Sequence, residues 1–168
     1  MVQALRRQRP DLELSVSATT RDPRPTETAG VHYHFLDDAA FDRLVDQDGF
    51  VEWAEFGGRR YGTPWSSVAE PLAAGRTVLL EIEVQGALQV RRRFPEALLV
   101  FLQPPDEEAL IERLRRRGTD SPSRIAERLE IGRWELSQAP SFDHVVVNDD
   151  VEAAAARIGS ILDGAPVD

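Results

Sequence analysis

Residues 77–105 read TVLLEIEVQGALQVRRRFPEALLVFLQPP, and this run decides the architecture. Val78, Leu79, Leu80 and Ile82 make residues 77–82 an apolar strand, and 85–93 carries helical spacing. Residues 97–102 form a second apolar strand, closed by Pro104-Pro105. Working downstream, 106–117 and 121–137 read as helices and 145–147 as a third apolar strand. Val151, Ala154, Ala155, Ile158, Ile161 and Leu162 then form one stripe of a last helix. Continuous apolar strands separated by helices imply a parallel sheet covered on both faces. Upstream, 2–9 reads as the end of a helix and 12–16 as the start of a strand. Phe41, Leu44 and Val45 stand at helical spacing behind Asp37 and Asp38, acidic signals of a helix start. Residues 50–56 and 59–61 are short strands joined by Gly57-Gly58, a hairpin signal. Thr63-Pro64 then opens a helix to about Ala73, which Gly75 ends. The short strands of 31–61 are expected to be antiparallel and half-exposed. The whole is an α/β core with a small mixed subdomain inserted, a plan in which ligands sit beyond the carboxyl ends of the strands.

Composition narrows the classes. The chain has 168 residues, 42% hydrophobic and 29% charged, which suits one folded domain with a sizeable core. It contains no cysteine, so disulfides, thiolate metal sites and cysteine nucleophiles are excluded. No apolar run approaches the roughly 20 residues of a membrane span, and the first residues lack a signal-peptide pattern. A soluble cytoplasmic protein is expected, with no membrane partner. The net charge of −9 argues against a general nucleic-acid binder, which needs a basic surface. All 20 basic residues are arginine, so no lysine is present to grip phosphate or act as a base.

Residues 15–35, SVSATTRDPRPTETAGVHYHF, are too polar and too punctuated by proline to be core. Arg21 and Arg24 flank a proline in a turn, so both guanidinium forks can face one dianion. Arginine suits bidentate phosphate contacts, and two together point to a phosphate-bearing ligand.

Two further clusters leave alternatives open. Glu81 and Glu83, two apart at the end of an apolar strand, are expected to share one face. Buried carboxylates are costly unless paired or functional, so they serve either a ligand or structural arginines. Neither shows metal-ligand spacing with histidine. Arg113, Arg117, Arg124 and Arg128 form two i,i+4 pairs flanking Gly118-Thr119-Asp120. They are solvated faces paired with Glu112 and Glu127, or they converge as a clamp on a transferring phosphoryl group. Arg91-Arg92-Arg93 reads as a solvated helix end.

SVSATTRDPRP, GVHYHF, EWAEFGGRRYGTP, VLLEIEVQGA, the PP turn, RLRRRGTD and VVVNDD occur in this order. Together, from about Leu12 to Leu162, they resemble the guanylate kinase family, the ATP:GMP phosphotransferases. The resemblance implies a P-loop kinase-like parallel sheet flanked by helices, with an inserted mixed-sheet GMP-binding subdomain at about 18–75. It also implies a helical lid at about 113–134, all within one domain over 1–168. Arg21, Arg24, Tyr33 and Tyr61 would hold the GMP phosphate, and Ser17, Glu52 and Thr63 would read guanine. Glu27 would orient the arginines from behind, with Glu81 and Glu83 on the GMP side. Arg113, Arg117 and Arg128 would be the catalytic lid arginines over the ATP phosphates, with Asn148 on the ATP side. GMP and ATP are the implied substrates and Mg²⁺, carried with ATP, the implied cofactor.

Two departures accompany the resemblance. The family usually has Asp where Glu83 stands. The family also begins with a strand and a G-x-x-x-x-G-K-[ST] phosphate loop, whereas Met1 here falls inside the following helix and no such loop occurs. The chain is therefore expected to be N-terminally truncated and inactive by itself. The alternative is a non-catalytic guanylate-kinase-like module that binds GMP or phosphopeptides.

Overall fold

The structure, a computed structural model, describes residues 1–116 and 122–164; the side chains of 113–116 and 122–127 lie outside that description. The chain divides into two compact units, one of residues 10–97 and one of residues 1–9 with 98–168.

Within the 10–97 unit, β1 (Glu13–Leu14) pairs in parallel with β6 (Val78–Leu79). A four-stranded sheet is ordered β3-β2-β5-β4, from β2 (Ala18–Thr19), β3 (His34–Phe35), β4 (Phe50–Phe56) and β5 (Arg59–Pro64). The β4–β5 hairpin turns at Gly57 and Gly58, whose φ of 59° and 71° lie where side-chain-bearing residues are strained. The expected antiparallel pairing holds for β2–β5 and β4–β5, but β2 and β3 run parallel, so the inserted sheet is mixed. Strand β5 also continues through Thr63 and Pro64, and a short 3₁₀ turn at Trp65–Ser67 precedes α3 (Ala69–Ala73).

Helix α2 (Asp38–Asp46) begins where expected, because the Asp37 carboxylate accepts a bond from the Ala40 amide and caps the first turn. Its Phe41 is fully buried against Phe50, ring centroids 4.5 Å apart, with Ala18, Leu36, Leu44 and Val45 around them. Burying one such side chain stabilises by about 1.5–3 kcal/mol. Arg60 lies over the Phe41 ring, 4.7 Å from its centroid, and pairs with Asp38 and Asp42. Helix α4 (Val84–Arg93) closes the unit, lying along β4.

The other unit pairs α1 (Val2–Gln8) with α7 (Val151–Leu162). Ala4 and Leu5 of α1, and Ala154, Ala155 and Ile158 of α7, are buried. Arg7 and Gln8 bond Glu152, and Arg9 pairs with Asp163 at 3.0 Å. Strands β7 (Val100–Gln103) and β8 (His144–Val147) are parallel neighbours. Helices α5 (Glu107–Arg116) and α6 (Pro122–Ser137) are joined by Arg133, which bonds Glu107 at 2.7 Å. Among the described residues no helix is long and apolar enough to cross a membrane.

Candidate functional site

Ten of the residues singled out in the sequence fall in the 10–97 unit, on a few adjoining elements. The arginine turn leaves the end of β2, where Thr19 Oγ1 accepts from the Arg21 amide at 3.2 Å. Both terminal nitrogens of Arg21 close on Glu27 at 2.9 Å, a bidentate fork. The Arg24 amide donates to the same carboxylate at 2.7 Å, and the Arg24 guanidinium stands 3.8 Å from it. These donors, Arg21 first, hold the Glu27 carboxyl down at about 2. Arg24 is 72% exposed, so its fork is presented outward while Glu27 fixes its backbone.

An aromatic wall stands beside the turn. The Arg21 guanidinium lies 5.5 Å from the Tyr33 ring centroid and 5.8 Å from that of Phe35. Tyr33 meets Tyr61 edge to face with centroids 6.2 Å apart. Burial pushes the Tyr33 hydroxyl above its ordinary pKa, and the nearby Glu81 charge adds to this. Arg21 and Arg24 share the Glu27 carboxylate here, with the Glu81 charge nearby, and the corner is lined by phenol hydroxyls that can donate to an anion.

The second half of the site is on the β4–β5 hairpin. Glu52 and Thr63 are direct cross-strand partners, next to a register shift between Phe50 and Glu52. Glu52 is only 4% exposed. Thr63 Oγ1, fully buried, donates to Glu52 Oε1 at 2.7 Å. Burial pushes the Glu52 carboxyl pKa up, Thr63 opposes this through its hydroxyl and backbone, and the Glu83 charge raises it further. Ser17 is half-buried, and its carbonyl accepts from the His34 amide at 2.8 Å, between β2 and β3.

Several expectations are corrected. Glu81 and Glu83 do not end a strand, because β6 stops at Leu79 and both carboxylates are exposed. Charged groups that remain in water avoid the desolvation a sheet interior would impose. Glu83 instead takes the N-cap position of α4, its carbonyl accepting from the Ala87 amide at 3.0 Å, where a negative charge favours the helix. Arg91 and Arg93 are more than a solvated helix end. Arg91 donates to the Pro95 and Ala97 carbonyls at 2.9 and 3.0 Å, and Arg93 donates to the Phe50 carbonyl at 2.7 Å. Sequence reading also passed over Phe35 and Gln89. The Gln89 side-chain amide donates to the Trp53 carbonyl at 2.6 Å and accepts from its amide at 3.2 Å, beside Glu52 on the edge strand. The only signal was the amide's place on the α4 face.

In the other unit, Asn148 follows β8 and its amide donates to the Gln103 carbonyl at 2.8 Å, extending the ladder with β7. Arg128 is half-exposed on α6. Arg117 and the side chains of Arg113 and Arg124 lie outside the described residues. Among the described residues no three or more His, Asp or Glu side chains gather into a metal-holding group.

An α/β chain with paired arginines, tyrosines and a buried carboxylate–hydroxyl pair on an inserted sheet has the features of a nucleotide-binding protein. A family profile described as "Guanylate kinase" matches residues 1–165. The guanylate kinase of Thermobifida fusca is 56% identical over 162 residues, 96% of this chain and 83% of that protein. That of Frankia casuarinae is 52% identical, covering 98% of this chain and 89% of its own. The crystal structure of guanylate kinase from Anaplasma phagocytophilum superposes with a TM-score of 0.79 at 32% identity, over 96% of this chain and 80% of that one. The chain belongs to the guanylate kinase family.

Proposed function

We propose that the residues gathered in the 10–97 unit form the GMP site of an ATP:GMP phosphotransferase. The reaction belongs to the family: a phosphate oxygen of GMP bonds the γ-phosphorus of ATP, the bond to the ADP oxygen breaks, and ADP and GDP leave. Ser17, Glu52 and Thr63 read guanine in this proposal. Arg21, Arg24, Tyr33 and Tyr61 hold its phosphate, Glu27 orients the arginines, and Glu81 and Glu83 flank the site as exposed carboxylates.

The observation that carries the reading is the Glu52–Thr63 pair. A carboxylate is taken out of water here, and Thr63 satisfies one of its oxygens. Guanine offers N1–H and the 2-amino group side by side, two donors matched to one carboxylate, and its O6 can accept from a hydroxyl. Adenine has an acceptor at N1 and lacks the donor pair, so AMP would leave Glu52 buried and short of partners.

On the ATP side, Arg113, Arg117 and Arg128 supply the cationic donors that neutralise charge developing on the transferring group, with Asn148 nearby in role. MgATP is the substrate form, its cation carried on the phosphates. The 168 residues contain no lysine and no G-x-x-x-x-G-K-[ST], so the cationic donors they offer the triphosphate are arginines. A cytoplasmic site of action is part of the proposal.

Titration of the chain with GMP, AMP and a phosphoserine peptide tests the reading. Preference for GMP supports it, and equal affinity for GMP and AMP overturns it. Binding of the peptide in place of GMP would favour the non-catalytic module.

A further inference from the structure

The first turn of α4 passes against the buried carboxylate of Glu52. A methyl carbon placed on Gly86 would stand 2.1 Å from Glu52 Oε2, 2.9 Å from its Cδ and 3.4 Å from its Cγ. Such a collision with the end of a flexible side chain is cheap when that end can swing away. Glu52 has no such freedom. It is buried, Thr63 holds its other oxygen at 2.7 Å, and its backbone is locked opposite Thr63 in the hairpin. Gly86 is not among the glycines with positive φ, so no special backbone conformation calls for it. Glycine weakens a helix relative to alanine, and what this position supplies in return is space.

The same α4 face fixes the strand around that space. Gln89 and Arg93 follow Gly86 by three and seven residues, spacings that share one side of a helix. Gln89 brackets the Trp53 peptide with two hydrogen bonds, and Arg93 donates to the Phe50 carbonyl. The backbone is therefore anchored before and after Glu52, while Gly86 leaves the carboxylate room that a methyl group would take.

We propose that Gly86 is a specificity-determining positioning residue, which with Gln89 holds the Glu52 carboxylate in the orientation that meets the guanine N1–H and 2-amino group. The proposal rests on the reading of Glu52 as the guanine acceptor. A side chain at position 86 displaces that carboxylate, and the site loses its preference for guanine over adenine before it loses its hold on phosphate.

The test is a double-mutant cycle on the full chain with Gly86→Ala, Glu52→Ala and the pair together. GMP and AMP dissociation constants and the thermal midpoint are measured for each. Gly86→Ala should lower the GMP-to-AMP affinity ratio by about tenfold or more and lower the midpoint. In the Glu52→Ala background the same substitution should leave the midpoint unchanged or raise it, because the collision partner is gone. An unchanged ratio in Gly86→Ala, or an equal fall in midpoint in both backgrounds, overturns the proposal. Should Gly86→Ala fail to fold, a folded double variant supports the proposal and an unfolded one overturns it. Loss of discrimination in Glu52→Ala with none in Gly86→Ala sinks the Gly86 role alone. Retained discrimination in Glu52→Ala sinks the guanine reading and this inference with it.

Discussion

Replacing Glu52 with Gln changes one oxygen to an amide nitrogen and removes a charge, at nearly constant volume. Glu52 is 4% exposed and its Oε1 accepts from Thr63 at 2.7 Å, so the remaining oxygen of the glutamine can keep one partner but cannot serve both. Guanine then meets at most one acceptor where two were available, and an NH₂ faces one of its own donors. Losing one charge-assisted bond at a buried site costs about 1–3 kcal/mol, which is about 5- to 150-fold in Kd. The empty protein responds in the opposite direction. Burial already raises the Glu52 pKa, so its ionised form is disfavoured in the fold, and a neutral amide relieves that cost. The variant should therefore bind GMP more weakly while its thermal midpoint holds or rises. Calorimetric titration with GMP and AMP, together with thermal unfolding of both proteins, reads the two effects separately. A variant that lost stability yet bound GMP as tightly as the parent would refute the reasoning, since Glu52 would then be a structural partner of Thr63.

Three other outcomes are expected. Arg21→Ala and Arg24→Ala should each weaken GMP by about tenfold or more, from lost charge-assisted contacts, while guanosine changes little; an equal fall in both ligands would make these arginines structural. Guanosine, which has no phosphate to titrate, should bind less tightly as pH falls through the raised pKa of Glu52, because only the ionised carboxylate accepts both donors. Its affinity is full above that pKa, and the Glu52→Gln variant should show no such dependence; a parent profile as flat as the variant's would contradict the assignment. Coupled assay of ADP and GDP should find negligible phosphotransfer by these 168 residues alone, compared with a chain that also carries a G-x-x-x-x-G-K-[ST] loop; comparable turnover by both would show that the loop is dispensable.

Local chemistry made much of this protein readable without a structure. Asp37 ahead of Phe41, Leu44 and Val45 announces α2, and the two glycines at 57 and 58 announce a hairpin, because capping and turn geometry depend on neighbours in the chain. The apolar runs do fall in parallel pairs, but the expected cover on both faces is not met along β7 and β8, where Leu102 and Val145 are exposed. The arginine turn, and through the family resemblance Glu52 and Thr63, could be singled out as candidates from their order along the chain.

What the sequence left open depends on segments that meet only after folding. Two glutamates beside an apolar run look like strand residues, yet β6 stops at Leu79, and the α4 N-terminus, 3₁₀ turn and β4–β5 register shift follow from packing rather than periodicity. That both ends of Arg21 close on Glu27 is a matter of how the turn folds back, and equal spacing would have served an open fork. The approach of Gly86 to Glu52, and the grip of Gln89 on the Trp53 peptide, join residues more than thirty positions apart. Residue types determined which chemistry was possible here. Close packing of α4 on β4 decided where the buried Glu52 carboxylate points, because clearances between elements leave no trace in the spacing within either.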